Sequence, residues 1–125
     1  MDILVVEDNE GVADSLAFLL DCLGHRATVA EDGEISLSLL RERAFELVLL
    51  DENLPGIKGS AVALSVIGMP FVGRPFLVSM TGESGDGGCT RFFDVCLHKP
   101  FSLEALLQVI DQAKSFANAS ARLAA

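Results

Sequence analysis

The chain has 125 residues, half of them hydrophobic, with a formal net charge of −9. That is enough apolar material for one ordinary domain with a real core, and too much for a disordered chain. The negative balance argues against nucleic acid or an anionic membrane as a direct partner, since both reward Lys and Arg.

In chain order, "DILVVEDN" opens with the apolar run Ile3–Val6 and ends in Glu7 and Asp8. Val12, Leu16, Leu19, Leu20 and Leu23 then recur at helical spacing, with Gly24 as the residue past the helix end. Arg26–Ala30 reads as a short strand, and Asp32 as the cap of a helix carrying Ile35, Leu39 and Leu40. "LVLLDENLP" repeats the opening grammar: Leu47–Leu50 is a strand covered on both faces, running into Asp51, Glu52 and Asn53 before Pro55. A helix over Ser60–Ile67, a strand over Pro75–Met80 and a brief strand over Asp94–Leu97 follow. Ser102 caps a last helix with Leu103, Leu106, Leu107, Ile110 and Ala113 as its inward stripe.

No apolar run approaches the roughly 20 residues of a membrane-spanning helix. The start lacks the basic region of a signal peptide. Cys22, Cys89 and Cys96 form an odd set without paired spacing, which predicts packed thiols in a reducing cytoplasm rather than a disulfide framework. His25 and His98 make no zinc pattern.

Strand–helix alternation throughout predicts an α/β fold, a doubly wound parallel sheet with helices on both faces. Ligands of such sheets bind beyond the carboxyl ends of the strands. That rule collects Glu7, Asp8, Asp51, Thr81 and Lys99 at one edge. Converging carboxylates raise one another's pKa unless a cation joins them, and a hard divalent ion such as Mg²⁺ takes oxygen ligands of this kind. With the Lys99 ammonium and the Thr81 hydroxyl added, the pocket suits a multiply charged tetrahedral anion such as a phosphoryl group. Asp51, central in that edge, is the candidate nucleophile.

The set "VVEDN", "LVLLDENLPGIKG", "LVSMTGE" and "CLHKPF", in that order and over essentially the whole chain, resembles the receiver domain of bacterial two-component response regulators. The resemblance implies five parallel strands in the order 2-1-3-4-5. It implies Asp51 as the acceptor of a phosphoryl group from a histidine kinase or histidine phosphotransfer protein. It implies a Mg²⁺ site built from Asp8, Glu7, Asp51 and the backbone carbonyl of Asn53. Thr81 resembles the switch hydroxyl and Lys99 its cationic partner, with Lys99-Pro100 as a cis peptide, which X-Pro bonds tolerate. Pro55, Gly56 and Gly59 match the turn after the acceptor. Asn53 and Glu83 would line the approach of attacking water, though a solvated loop position is an equal reading for Glu83.

Two places depart from that pattern. Cys96 stands where the family carries an inward-turning aromatic; Phe92 or Phe93 could substitute, and ordinary core packing is the other reading for both. Gly82 to Phe93, rich in glycine, predicts a shortened or missing helix before the fifth strand. His98 faces either solvent or the site. We expect a receiver domain over residues 1–121 and a tail over 122–125, acting in the cytoplasm through a downstream protein target, with a homodimer possible. The activity is a signalling switch that catalyses its own phosphorylation and hydrolysis rather than a turnover enzyme. Two other readings stand beside it: an interaction module whose site is idle, and an Asp-nucleophile phosphohydrolase, against which Asn53 counts because that chemistry places a second acid there.

Overall fold

Leu47, Val48, Leu49 and Leu50 are each fully buried, so the unbroken apolar run is covered on both faces. The structure, a computed structural model, describes residues 1–69, 74–82 and 92–124, with side chains as far as 119. Its elements are β1 (Asp2–Val6), α1 (Glu10–Cys22), β2 (Arg26–Ala30), α2 (Gly33–Glu42), β3 (Leu47–Asp51), α3 (Gly59–Ile67), β4 (Phe76–Thr81), β5 (Val95–His98) and α4 (Leu103–Ala124). The strands form one parallel sheet in the order β2-β1-β3-β4-β5. This is the expected doubly wound architecture.

Alternation along each strand divides the core in two. Ile3, Val5, Leu47, Leu49, Val78 and Met80 face Leu16 and Leu20 of α1 and Leu106, Ile110 and Ala113 of α4. Leu4, Val6, Val48, Leu50 and Leu77 face Leu37 and Leu40 of α2 and Val62, Ala63 and Val66 of α3. Each large side chain buried this completely adds roughly 1.5–3 kcal/mol. The middle of the sheet therefore carries the stability, and its ends are left for polar groups.

Both expected caps form. The Ile35 N–H donates to Asp32 Oδ1 at 2.8 Å, and the Ala105 N–H to Ser102 Oγ at 3.1 Å. The helical stripes are narrower than their spacing implies: Val12, Ile35, Leu103 and Leu107 are exposed, while Val109 is buried. Each helix rests on a sheet that covers only one side, so the outer members of an apolar stripe stay in solvent.

The helix α4 runs on to Ala124, so the expected boundary between residues 121 and 122 falls inside it. Four helices are present among the described residues. The glycine-rich stretch in which we expected a shortened or missing helix lies, over 83–91, outside them, as does Glu83. One expectation is overturned: Cys96 is disulfide-bonded, although the sequence carries no paired cysteine spacing, and Cys22 is a free, exposed thiol. No helix among the described residues is long and apolar enough to cross a membrane.

Candidate functional site

Parallel pairing in register brings the strand ends together. Val6 pairs with Leu50, Asp51 with Met80 and Thr81 with His98. Glu7 follows β1 directly, its N–H still donating to the Ala30 carbonyl at 3.1 Å, and its side chain is buried. Asp51 ends β3 and is buried, whereas Asp8 is exposed. One carboxylate oxygen from each of Glu7, Asp8 and Asp51 lies within 4.8 Å of the others. Three acids separated by up to 44 positions thus meet at one edge of the sheet.

Lys99, just beyond β5, reaches into this group. Its Nζ donates to Glu7 Oε1 at 2.6 Å and stands 3.6 Å from Asp51 Oδ2. The Lys99-Pro100 peptide is cis, as the resemblance implies. Asn53 is exposed, and its N–H donates to Asp51 Oδ1 at 3.1 Å, holding that carboxylate from the chain that follows it. Glu52, named beside Asp51 in the sequence, stays out of the acidic group. Its Oε2 is buried without a hydrogen-bond partner among the described residues.

Burial pushes the Glu7 carboxyl above its ordinary value, and the neighbouring Asp51 carboxyl pushes the same way; the Lys99 ammonium opposes both. One ammonium against three carboxylates leaves a surplus of negative charge in an all-oxygen donor set. That is the chemistry a hard divalent cation satisfies, so the residues present fit Mg²⁺.

The turn after Asp51 is shaped by glycine. Gly56 has φ 72°, a conformation that L side chains rarely adopt. At Gly59 a Cβ would come within 2.6 Å of the Asp51 carbonyl oxygen and 3.0 Å of Glu52 Cα, so α3 starts directly against the Asp51 backbone.

Thr81 is buried, and its Oγ1 is hydrogen-bonded to His98 Nδ1 at 3.0 Å. The Lys99 N–H donates to the Thr81 carbonyl at 2.6 Å, so β4 and β5 are joined by both backbone and side chain at this point. The sequence alone leaves His98 between solvent and site, and its bond to Thr81 has no local pattern in the chain. The only signal available was that both residues end adjacent strands. A mostly apolar groove of about 860 Å³ opens beside Lys99, lined among others by Val12, Leu16, Leu19, Met80, Pro100 and Phe101. The exposure of Val12 is explained by its place in that groove.

Residues 3–111 match the family model of the response regulator receiver domain. The chain belongs to that family. Relatives include the virulence sensor protein BvgS of Bordetella pertussis, 34% identical over 89% of this chain but only 10% of BvgS. The transcriptional activator protein PfeR of Pseudomonas aeruginosa is 38% identical over 83% of this chain and 34% of PfeR. Among solved structures, the CheY-like response regulator receiver domain from Methylobacillus flagellatus superposes with a TM-score of 0.84 at 27% identity, covering 90% of this chain and 98% of that one. The chain spans a tenth to a third of the length of these two curated relatives. It is a receiver domain, the phosphoryl-accepting switch module of two-component signalling.

Proposed function

We propose that this receiver domain takes a phosphoryl group onto Asp51 from a phosphohistidine on a histidine kinase or phosphotransfer protein, in a Mg²⁺-dependent reaction, and signals through a downstream protein. The supporting observation is the meeting of the Glu7, Asp8 and Asp51 carboxylates within 4.8 Å beside the Lys99 ammonium. Glu7, Asp8, Asp51 and the Asn53 carbonyl are the groups that would hold Mg²⁺. When bound, the ion supplies charge neutralisation for the incoming phosphoryl oxygens.

The chain's own residues do the rest. The Asn53 N–H fixes the orientation of the Asp51 carboxylate. Asp51 attacks phosphorus as the imidazole nitrogen of the donor leaves, so the P–N bond breaks while the O–P bond forms. Lys99, shared in the resting state between Glu7 and Asp51, pairs with the phosphoryl oxygens, and the Thr81 hydroxyl, released from His98, donates to them. A change in the partners of Lys99 and Thr81 then biases the domain between two arrangements. The apolar groove beside Lys99 suits a helical partner that presents a phosphohistidine at the site. The domain is a self-modifying switch.

Incubation with Mg²⁺ and acetyl phosphate should give one acid-stable, base-labile phosphoryl adduct by intact mass, lost in Asp51→Asn. Absence of both an adduct and Mg²⁺ binding would instead indicate an idle interaction module. Sustained phosphate release from unrelated esters would indicate a hydrolase.

A further inference from the structure

His98 is exposed at the end of β5, yet its Nδ1 lies 3.0 Å from the buried Thr81 Oγ1. The contact is built into the sheet. Thr81 and His98 are register partners on neighbouring parallel strands, so their side chains leave the same face side by side. The Lys99 N–H to Thr81 carbonyl bond at 2.6 Å keeps that register at the last position of the ladder.

We propose that His98 is a positioning residue that holds the Thr81 hydroxyl in the unphosphorylated state and competes with the phosphoryl group for it. This rests on the reading of Asp51 as phosphoacceptor and Thr81 as its hydroxyl donor. A threonine hydroxyl carries a single proton. When Nδ1 is the acceptor, that proton is committed to His98 and is withheld from a phosphoryl oxygen. When Nδ1 carries a proton, it donates to Oγ1 and anchors the oxygen in the same place. In both tautomers the hydroxyl is tethered to β5, and moving it to the phosphoryl group breaks the tether. The transition therefore starts by loosening a contact between β4 and β5, and the freed imidazole is left at the surface. His98 thus links the buried hydroxyl to the exposed face of β5, where a partner could sense the change.

Beryllofluoride with Mg²⁺, a phosphoryl mimic, gives a direct test on the full chain. His98→Val removes the ring nitrogen at an exposed strand position that favours a β-branched residue. Loss of one competing hydrogen bond should tighten beryllofluoride binding about threefold to tenfold. His98→Gln, whose amide can restore the bond, should return the affinity towards wild type. In a Thr81→Ala background, His98→Val should have no effect, because the hydroxyl through which it acts is gone. The imidazole ¹⁵N resonances of His98 should also move when wild type binds beryllofluoride, and should be displaced already in unliganded Thr81→Ala. Unchanged or weaker binding in His98→Val, no reversal by Gln, or the same tightening without the Thr81 hydroxyl would overturn the proposal. If wild type itself failed to bind beryllofluoride, the phosphoacceptor reading would fall and take this proposal with it. Normal wild-type binding with any of the other adverse results would sink the role of His98 alone.

Discussion

Lys99 Nζ stands 2.6 Å from Glu7 Oε1 and 3.6 Å from Asp51 Oδ2, so one ammonium faces two carboxylates that are nearly out of solvent. Breaking such a pair strands a buried charge, which costs more than the pair itself is worth. The Lys99 side chain retains 28% exposure, and solvent screening reduces the effect. Lys99→Met should therefore lower the stability of the metal-free protein by roughly 1–3 kcal/mol in urea denaturation with EDTA. Added Mg²⁺ should recover much of the loss, because the ion replaces the missing positive charge. Equal midpoints for the variant and wild type in EDTA would show that the ion pair contributes nothing. The strand-end rule puts Glu7 and Lys99 at one edge although they lie 92 positions apart, but the direct ion pair between them has no signature in the sequence. The residue types themselves were legible, because a carboxylate ending an apolar strand has few structural uses.

The junction of β3 and α3 shows how one element positions another. A Cβ at Gly59 would meet the backbone of Asp51 and Glu52, which cannot swing aside as a side-chain tip can. Gly59→Ala should destabilise the domain by about 1–3 kcal/mol and slow phosphorylation by acetyl phosphate, since the backbone of Asp51, the proposed acceptor, must shift. Gly68→Ala serves as the control: its nearest heavy atom is the Ser65 carbonyl oxygen at 3.6 Å, so its stability should stay within about 0.5 kcal/mol of wild type. Equal effects at the two glycines would refute the steric account.

Elements were the most legible level of this protein. Among the described residues, five strands and four helices stand where apolar period and capping residues put them, with ends moved by a residue or two except at α4, which runs on to Ala124. Thr81 and His98 extend β4 and β5 by one position because they pair with each other, a condition no local pattern contains. Likewise, helical spacing marked Val12, Leu103 and Leu107 as apolar without saying whether anything would cover them.

Across the whole molecule, the site sets a pH dependence. Glu7 in the folded, metal-free protein titrates above its ordinary value of 4.5, so between the two values the folded chain holds a proton that the unfolded chain has released. This contribution to stability is present below 4.5 and is lost as pH rises through the raised value. The thermal midpoint in EDTA should accordingly fall as pH climbs through that window, and Glu7→Gln should flatten the fall. Mg²⁺ must displace the same proton, so its affinity should rise with pH over the same range. A Glu7→Gln profile with the wild-type slope would assign the dependence to other groups.

The 92-position gap between Glu7 and Lys99 also bears on how the domain comes into being. During synthesis the ribosome delivers all three site acids well before the lysine that answers them. A nascent chain that has paired its first three strands holds mutually repelling carboxylates, with dissolved cations as their nearest relief. The last strand of the sheet to emerge is followed at once by that lysine, so a truncation before Val95 removes both the strand and the charge.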